Sequence, residues 1–376
     1  MSHTRYLRPF VQKDLEEKIV LVGGPRQVGK TTLALTFLNP SSKKNPAYLN
    51  WDASADRPLI RKAEFPPGVE LIVLDEIHKY AKWRGLLKGL FDKRVPDLKF
   101  LVTGSARLDH YKRGGESLFG RHTSFRLHPF SLGELNGTQK DLESLLRFSG
   151  FPEPFFRQDS TRLRLWRRAR NSLIIGDDLR DLERVHELSQ IEALLELLPP
   201  RVGSPISIKG IREDLDTSHH SVERWIKILE NLYFCFRIPP YGSPKVRAVK
   251  KEQKLYLWEW TEIEDPGIRF ENLVACQLLK YVHFKEDTEG FRMELRYLRD
   301  TDKREVDFVV LQEGKPLFAV EAKLNEENMA PALHYFKERT PVPFFYQVHG
   351  RTRDYQPDFR IRVCPFPTFC KDLKMP

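Results

Sequence analysis

Short apolar runs separated by helix-like segments make up most of the first 150 residues. The alternation of the two patterns is typical of a parallel sheet flanked by helices. The predicted strands are Ile19–Val22, Ala47–Leu49, Leu71–Leu74, Phe100–Val102 and Thr123–Leu127. We therefore predict an α/β fold for this region, a parallel sheet with helices on both faces, ending near residue 155.

The pattern changes in the middle of the chain. Residues 160–198 form a charged helical stretch that ends at Pro199-Pro200, because proline interrupts a helix. Two shorter helices follow at Ile206–Leu215 and Ser221–Leu232, with strands at 232–238 and 254–258 around a basic loop. Two helices joined by a tight turn and followed by a basic hairpin predict a winged helix.

The last part of the chain has an α/β pattern of its own. Its predicted elements are a helix at 268–281, strands at 293–298, 305–311 and 317–323, a helix at 330–338 and a strand at 344–348. The sequence thus predicts four segments: a nucleotide-binding domain at 1–155, a helical lid or linker at 156–200, a winged helix at 201–262 and a small α/β domain at 263–376.

Composition narrows the choice of partners. Of the 376 residues, 62 are Lys or Arg and 52 are Asp or Glu, which gives a formal charge of +10 and favours an anionic partner. Nucleic acid is favoured over a membrane surface because we find no basic amphipathic helix. The charge alone is equally compatible with a basic protein that has no anionic partner.

The cysteines and the hydropathy bear on the compartment. The four cysteines are far apart, which argues against a zinc site or a disulfide framework and fits a reducing cytoplasm: Cys235, Cys276, Cys364 and Cys370. The charges throughout the first eleven residues predict that there is no secretory signal, and no apolar run approaches the ~18 residues that a membrane span needs. We therefore expect a cytoplasmic protein with no membrane association.

A glycine-rich loop stands between the first strand and the first helix. Its sequence is Gly24-Pro25-Arg26-Gln27-Val28-Gly29-Lys30-Thr31, followed by Thr32. Backbone N–H groups in such a loop wrap phosphates at a helix N-terminus. Lys30 is placed to reach the β- and γ-phosphates, and the Thr31 hydroxyl to ligate Mg²⁺. We predict that residues 24–32 bind ATP with Mg²⁺; a chance glycine-rich turn is the weaker alternative.

Polar groups at the ends of later strands support this prediction. The strand at 71–74 ends in Asp75 and Glu76, which we assign to holding Mg²⁺ and to polarising the attacking water. The alternative is that the two acids only cap the next helix. The strand at 100–102 leads into Thr103 and Ser105, either of which is suited to contact the γ-phosphate or the water.

These motifs, together with Arg121 just before the fifth strand, resemble those of the AAA+ ATPases. In that family, an arginine at this place reaches the nucleotide of a neighbouring subunit. The resemblance implies that Asp75 and Glu76 are the Walker B pair, Ser105 is sensor 1 and Arg121 is the arginine finger. It also implies a homo-oligomer, expected to be a hexameric ring. An ordinary surface arginine is the alternative for Arg121.

A narrower resemblance covers nearly the whole chain. The phosphate loop, the string 75–79 (DEIHK) and the string 150–154 (GFPEP) are similar to those of a large prokaryotic group of AAA+ proteins. Members of that group carry a C-terminal domain of uncharacterised function. His78 lies within the second string, and the sequence gives it no role.

The predicted winged helix would explain the basic charge. A recognition helix at 218–231 would present His219, His220, Arg224 and Lys227 to DNA, and the wing would follow phosphates with Lys245, Arg247, Lys250 and Lys251. The alternative is a winged helix that binds protein, or a helical lid.

The last domain contains a set of acids that resembles the PD-(D/E)xK nuclease core. Asp307 lies on one predicted strand, Glu321 and Lys323 share a face of the next, and Glu271 lies on the preceding helix. Two carboxylates can hold Mg²⁺ and a lysine can orient water against a phosphodiester. A β-hairpin with an ordinary ion pair explains the pattern equally well, and many relatives of this fold no longer cut DNA.

The sequence therefore predicts an ATP-hydrolysing AAA+ protein that oligomerises and binds, remodels or moves along DNA, including branched DNA. Two alternatives remain open. One is a nucleotide-dependent switch whose assembly recruits a protein partner, and the other is a metal-dependent nuclease gated by ATP.

Overall fold

The computed structural model describes residues 4–93, 98–104, 118, 120–179, 185–242, 252–325 and 328–376. It divides the chain into two compact units, Met1–Pro129 and Phe130–Pro376. Within the described residues, no helix is long and apolar enough to cross a membrane.

A five-stranded parallel sheet forms the centre of the N-terminal unit. Its strands are β1 (Ile19–Gly23), β2 (Tyr48–Asn50), β3 (Leu71–Asp75), β4 (Lys99–Thr103) and β5 (His122–Arg126). The strand order is β2-β3-β4-β1-β5, and every neighbouring pair is parallel. The predicted α/β fold with a parallel sheet is confirmed.

The sheet explains why its strands could be recognised as apolar runs. All five residues of β1 and the last four of β3 and β4 are buried, since a parallel sheet is covered on both faces. The flanking helices are α1 (Arg8–Asp14), α2 (Lys30–Leu35), α3 (Asp56–Lys62) and α4 (Trp83–Asp92). The strand order reverses direction at β1, and in such sheets ligands bind beyond the carboxyl ends of the strands at this point.

The C-terminal unit begins with a helical region. Its helices are α5 (Gln139–Phe148), α6 (Pro152–Arg157), α7 (Ser160–Leu173), α8 (Val185–Leu197), α9 (Ile208–Asp214) and α10 (His219–Asn231). A π-helical stretch, Ile174–Leu179, follows α7, and the stretch predicted as helical at 160–198 contains α7, this stretch and α8. An antiparallel pair, β6 (Cys235–Ile238) and β7 (Lys254–Leu257), comes after α10.

The strand β6 begins three residues later than the sequence predicts. Residues 232–234 instead close the end of α10, where the N–H of Phe234 donates to the carbonyl of Leu229 at 2.9 Å. Tyr233 has a φ of +59°, the left-handed conformation that often terminates a helix. The apolar face of α10 is buried, with Val222, Trp225, Ile226 and Leu229 at most 1 % exposed.

A long buried helix and a six-stranded mixed sheet complete the C-terminal unit. The helix α11 (Pro266–Glu289) starts where the Asp265 carboxylate accepts a hydrogen bond from the N–H of Ile268, and it ends at Gly290. The sheet order is β12-β13-β11-β10-β9-β8. Its elements, with two further helices, are β8 (Met293–Arg299), β9 (Glu305–Gln312), β10 (Lys315–Ala322), α12 (Pro331–Arg339), β11 (Phe345–His349), β12 (Tyr355–Asp358), β13 (Ile361–Pro365) and α13 (Phe366–Asp372).

Candidate nucleotide-binding site

At two positions of the loop between β1 and α2, the backbone adopts a conformation that requires glycine. Gly24 has a φ of +147°, and a Cβ added there would lie 2.3 Å from the carbonyl oxygen of Leu127. Gly29, at the start of α2, has a φ of +97°. Glycine has no Cβ and adopts such angles without steric cost. The two glycines predicted from the sequence therefore determine the path of this loop.

The Lys30 side chain folds back over the loop. Its ammonium donates to the carbonyl oxygens of Gly24 at 3.0 Å and Pro25 at 2.7 Å, and the residue is buried. An ammonium group held inside a loop of backbone peptide groups is a suitable partner for an anion that enters the loop. This position fits the predicted contact with phosphate oxygens.

The Asp75 carboxylate is held by three hydroxyl groups at the end of β3. Thr31 donates to Oδ2 at 2.8 Å, Tyr48 donates to Oδ2 at 2.7 Å, and Thr103 donates to Oδ1. Asp75 is only 3 % exposed. The two predicted Mg²⁺ ligands, Thr31 and Asp75, are therefore in direct contact, and oxygen ligands of this kind are the ones that Mg²⁺ prefers.

Tyr48 is a residue of this site that the sequence did not indicate. Burial raises the pKa of its hydroxyl, and the Asp75 carboxylate raises it further, so the hydroxyl stays protonated and donates. It lies on the edge strand β2, which pairs with β3. Its hydrogen bond to Asp75 depends on β2 lying next to β3, and the apolar run at 47–49 does not indicate which strands are neighbours.

Glu76 is positioned by an unusual backbone conformation. Its φ is +55°, and its N–H donates to the carbonyl of Thr103 at 3.0 Å. Burial raises the pKa of its carboxyl group, while the positive charge of Lys30 acts in the opposite direction. Its Oε2 lies 3.8 Å from Nζ of Lys79 and 3.7 Å from Nε2 of His78. A partly buried carboxylate with a raised pKa is suited to accept a proton.

His78 is a neutral neighbour of this carboxylate. Burial lowers the pKa of its imidazole to about 4, helped by the positive charge of Lys79. The ring is therefore uncharged at neutral pH and 3.7 Å from Glu76. The structure thus places His78 next to the predicted catalytic acid, a position that the sequence left without a role.

Comparison with known proteins identifies the family of the N-terminal part of the chain. Residues 16–136 match the family model of an AAA domain. The N-terminal unit has the P-loop AAA+ fold. Two further models match the rest of the chain, domains of unknown function designated DUF8612, at 139–260, and DUF4143, at 266–369.

Two proteins with similar sequences are named as uncharacterized proteins. An uncharacterized protein of Haemophilus influenzae is 22 % identical over 373 residues, covering 87 % of this chain and 88 % of the relative. Uncharacterized protein MJ1544 of Methanocaldococcus jannaschii is 22 % identical over 359 residues, and the match covers 85 % of this chain and 79 % of MJ1544.

Solved structures resemble the chain only distantly. The RuvB Holliday junction branch migration motor of Thermotoga maritima has a TM-score of 0.29 at 14 % identity, covering 62 % of this chain and 87 % of its own. AMPPCP-bound DnaA from Aquifex aeolicus has a TM-score of 0.33 at 14 % identity, and the match covers 61 % of this chain and 89 % of the DnaA chain. At these scores, we draw no inference from either protein.

In the AAA domain, Arg121 lies at the opposite edge of the sheet from the phosphate loop. It directly precedes β5, whose first residue, His122, pairs with Ile19 at the start of β1. Its guanidinium forms a two-point ion pair with Asp92 of α4, with distances of 2.7 Å from Nε to Oδ1 and 3.3 Å from Nη2 to Oδ2. The side chain is 31 % exposed. Ser105, the predicted sensor, lies outside the described residues.

The predicted DNA-binding residues of α10 lie largely on its surface. His219, His220 and Lys227 are exposed, whereas Arg224 is partly covered and paired with Glu187 of α8. The four wing residues lie outside the described part of the chain: Lys245, Arg247, Lys250 and Lys251.

The four residues of the predicted nuclease-like site lie close together in the C-terminal unit. The N–H of Asp307 donates to Oε2 of Glu321 at 3.3 Å, and Lys323 pairs with Oε1 of Glu321 at 2.9 Å. Glu271 joins them through Lys254, whose ammonium lies 3.3 Å from Glu271 Oε1 and 3.2 Å from Asp307 Oδ1. Lys254, the first residue of the strand predicted at 254–258 beside the basic loop, is completely buried, because these carboxylates bind it.

Proposed function

We propose that this chain is an ATP-hydrolysing AAA+ protein that oligomerises and acts on DNA. The observation that carries the ATPase part is the contact between Thr31 and Asp75 at 2.8 Å, directly behind a loop that encloses the Lys30 ammonium. A hydroxyl and a carboxylate at this distance, next to a cation in a ring of amides, provide separate places for a metal ion and for phosphates.

Each residue of the site has a distinct task in this proposal. The backbone N–H groups of the loop at residues 24–29, in which Pro25 has none to donate, and the Lys30 ammonium bind the phosphates. Thr31 and Asp75 hold Mg²⁺, which neutralises phosphate charge when it is bound. Tyr48 and Thr103 keep the Asp75 carboxylate in one orientation. Glu76 accepts a proton from the attacking water.

Replacing Lys30 by alanine tests the phosphate-binding part. We expect Lys30→Ala to weaken binding of Mg²⁺-ATP by about 10- to 100-fold, because a hydrogen bond to a charged group is worth about 1.5–3 kcal/mol. Isothermal titration calorimetry measures the affinity. Lys62→Ala, an exposed lysine of the same unit, is the matched control. Wild-type affinity in Lys30→Ala would refute the proposed site.

The proposed oligomer follows from the role of Arg121. The family resemblance assigns this residue to a neighbouring subunit's nucleotide, and a hexameric ring is the assembly we propose. Ser105, as the proposed sensor, would report the state of the γ-phosphate within each subunit.

The proposed action on DNA is supported by charge and by exposure. The chain carries a formal charge of +10, and the exposed side of α10 presents His219, His220 and Lys227. We propose that the wing residues of the predicted winged helix, which lie outside the described part of the chain, also contact DNA: Lys245, Arg247, Lys250 and Lys251. Cations on such a surface bind phosphates and release counterions.

Salt dependence of DNA binding tests this surface. We expect log K to fall linearly with log salt concentration, and Lys227→Ala to reduce the slope by about one, since one phosphate contact is lost. Fluorescence anisotropy with duplex and branched DNA gives the slopes. Lys285→Ala, on α11 and paired with Glu289, is the control. Absence of DNA retention at low salt would favour the alternative of a nucleotide-dependent switch that recruits a protein partner.

A further inference from the structure

Lys254 occupies the centre of the acid cluster in the C-terminal unit. Its side chain is 1 % exposed, and its ammonium lies within 3.3 Å of three carboxylates. Glu305 is at 2.5 Å, Asp307 at 3.2 Å and Glu271 at 3.3 Å. A lysine is almost never buried to this extent unless it is paired. Here it is surrounded by acids.

The fold brings these residues together from three separate elements. Lys254 is the first residue of β7, Glu305 and Asp307 lie on the same side of β9, and Glu271 lies in the first part of α11. The hydroxyl of Tyr256, also on β7, donates to Glu271 at 2.7 Å. The Lys254 ammonium lies 5.5 Å from the centre of the Tyr297 ring, within range of a cation–π contact.

The lysine neutralises acids that would otherwise be costly to bury. Burial raises the pKa of Glu271 to about 7, and repulsion from Asp307 adds to this effect. An isolated buried carboxylate is strongly unfavourable, and pairing with a cation offsets much of that cost. The ammonium therefore supplies the positive charge that these acids require.

A divalent cation does not fit this arrangement. Mg²⁺ in a nuclease-like site needs carboxylate oxygens that converge on a common point at about 2.0–2.1 Å from the metal. The Lys254 ammonium already stands between Glu271 and Asp307. In the described part of the chain, no group of three or more acids, histidines or cysteines is arranged to hold a metal ion.

We propose that Lys254 takes the place of the divalent cation, so that the nuclease-like acids form a metal-free core that does not cleave DNA. The cluster instead ties the hairpin of β6 and β7 to the C-terminal sheet. Two hydrogen bonds reinforce the tie, from the Tyr297 hydroxyl to the carbonyl of Glu252 at 2.9 Å and from the N–H of Tyr241 to the carbonyl of Tyr297 at 2.7 Å. This inference is independent of the proposed ATPase.

Terbium luminescence tests the proposal directly, because Tyr256 is close enough to the cluster to sensitise a bound Tb³⁺. The full-length protein is titrated without nucleotide, with Asp75→Asn in every variant to remove the phosphate-loop carboxylate from the signal. We expect no signal that depends on Asp307 when Lys254 is present. Lys254→Met is expected to gain a saturable signal, and the further change Asp307→Asn is expected to remove it.

The matched control is Lys280→Met. Lys280 is similarly buried, and its ammonium pairs with Glu134 of another part of the unit and donates to the Ser131 hydroxyl, so Lys280→Met is expected to gain no saturable signal. A saturable signal with Lys254 in place that Asp307→Asn abolishes would overturn the proposal. So would the absence of any gain in folded Lys254→Met. If Lys254→Met does not fold, the comparison of proteins that retain Lys254, with and without Asp307→Asn, still decides the question.

Discussion

Glu76→Gln is expected to lower the rate of ATP hydrolysis by about two to four orders of magnitude while ATP binding is retained. An amide of the same shape cannot take a proton from water, and general-base catalysis contributes about 10²- to 10⁴-fold. The variant should therefore hold bound ATP. Phosphate release measures the rate, and calorimetry with Mg²⁺-ATP measures the affinity. Glu64→Gln, an exposed acid of the same unit, is the control.

The pH dependence of the wild type adds a second measurement on Glu76. Its ionised form is the one that accepts a proton, and burial raises its pKa above the ordinary value of 4.5. Hydrolysis should consequently be fully active above the raised pKa and decline as the pH falls through it, at a higher pH than an exposed glutamate would give. Hydrolysis by Glu76→Gln at the wild-type rate would remove the assignment.

Arg121→Ala is expected to reduce kcat by about 10³- to 10⁵-fold, the contribution of an arginine finger. The register of β1 and β5 places Arg121 about six residues, roughly 20 Å, from its own phosphate loop at ~3.3 Å per residue. It therefore acts, in this proposal, on the nucleotide of a neighbouring subunit. In the wild-type protein, the ATPase rate per subunit should also rise with protein concentration as the oligomer assembles.

Two comparisons separate this role from a structural one. An exposed ion pair contributes little to stability, so Arg121→Ala should leave the melting temperature nearly unchanged. Asp92→Asn removes the same ion pair but keeps the arginine, and it should retain activity. Mixing Arg121→Ala with Glu76→Gln should restore part of the rate, since one protein supplies the acid and the other the arginine. No recovery in mixed oligomers would exclude action between subunits.

The sequence predicted those features of the site that depend on local rules. A fully buried parallel strand appears as an apolar run, and Gly24 and Gly29 could be recognised because the loop between strand and helix requires them. Asp75 and Glu76 could be placed because carboxyl ends of parallel strands meet at one edge of the sheet. The contact of Tyr48 with Asp75 depends on β2 being next to β3, which a linear pattern does not reveal.

Lys254 shows where such reasoning fails. A lysine in a stretch rich in basic residues is expected in solvent, because lysine is rarely buried. The acids that surround it lie 17 to 53 residues further along the chain, and only the packing of α11 and β9 against β7 brings them to it. The sequence placed Lys254 at the border of the basic loop and gave it no role, whereas in the tertiary structure it is an internal counter-ion.

The close approach of Gly24 to Leu127 has a mechanical consequence. The N–H of Leu127 donates to the carbonyl of Gly23 at 2.8 Å, so the far end of β5 holds the entrance of the phosphate loop. The near end of the same strand begins beside Arg121. In the proposed ring, one end of β5 therefore lies at the nucleotide of the neighbouring subunit and the other end lies at the nucleotide of the same subunit. The strand thus provides a short route by which hydrolysis in one subunit can alter nucleotide affinity in the next.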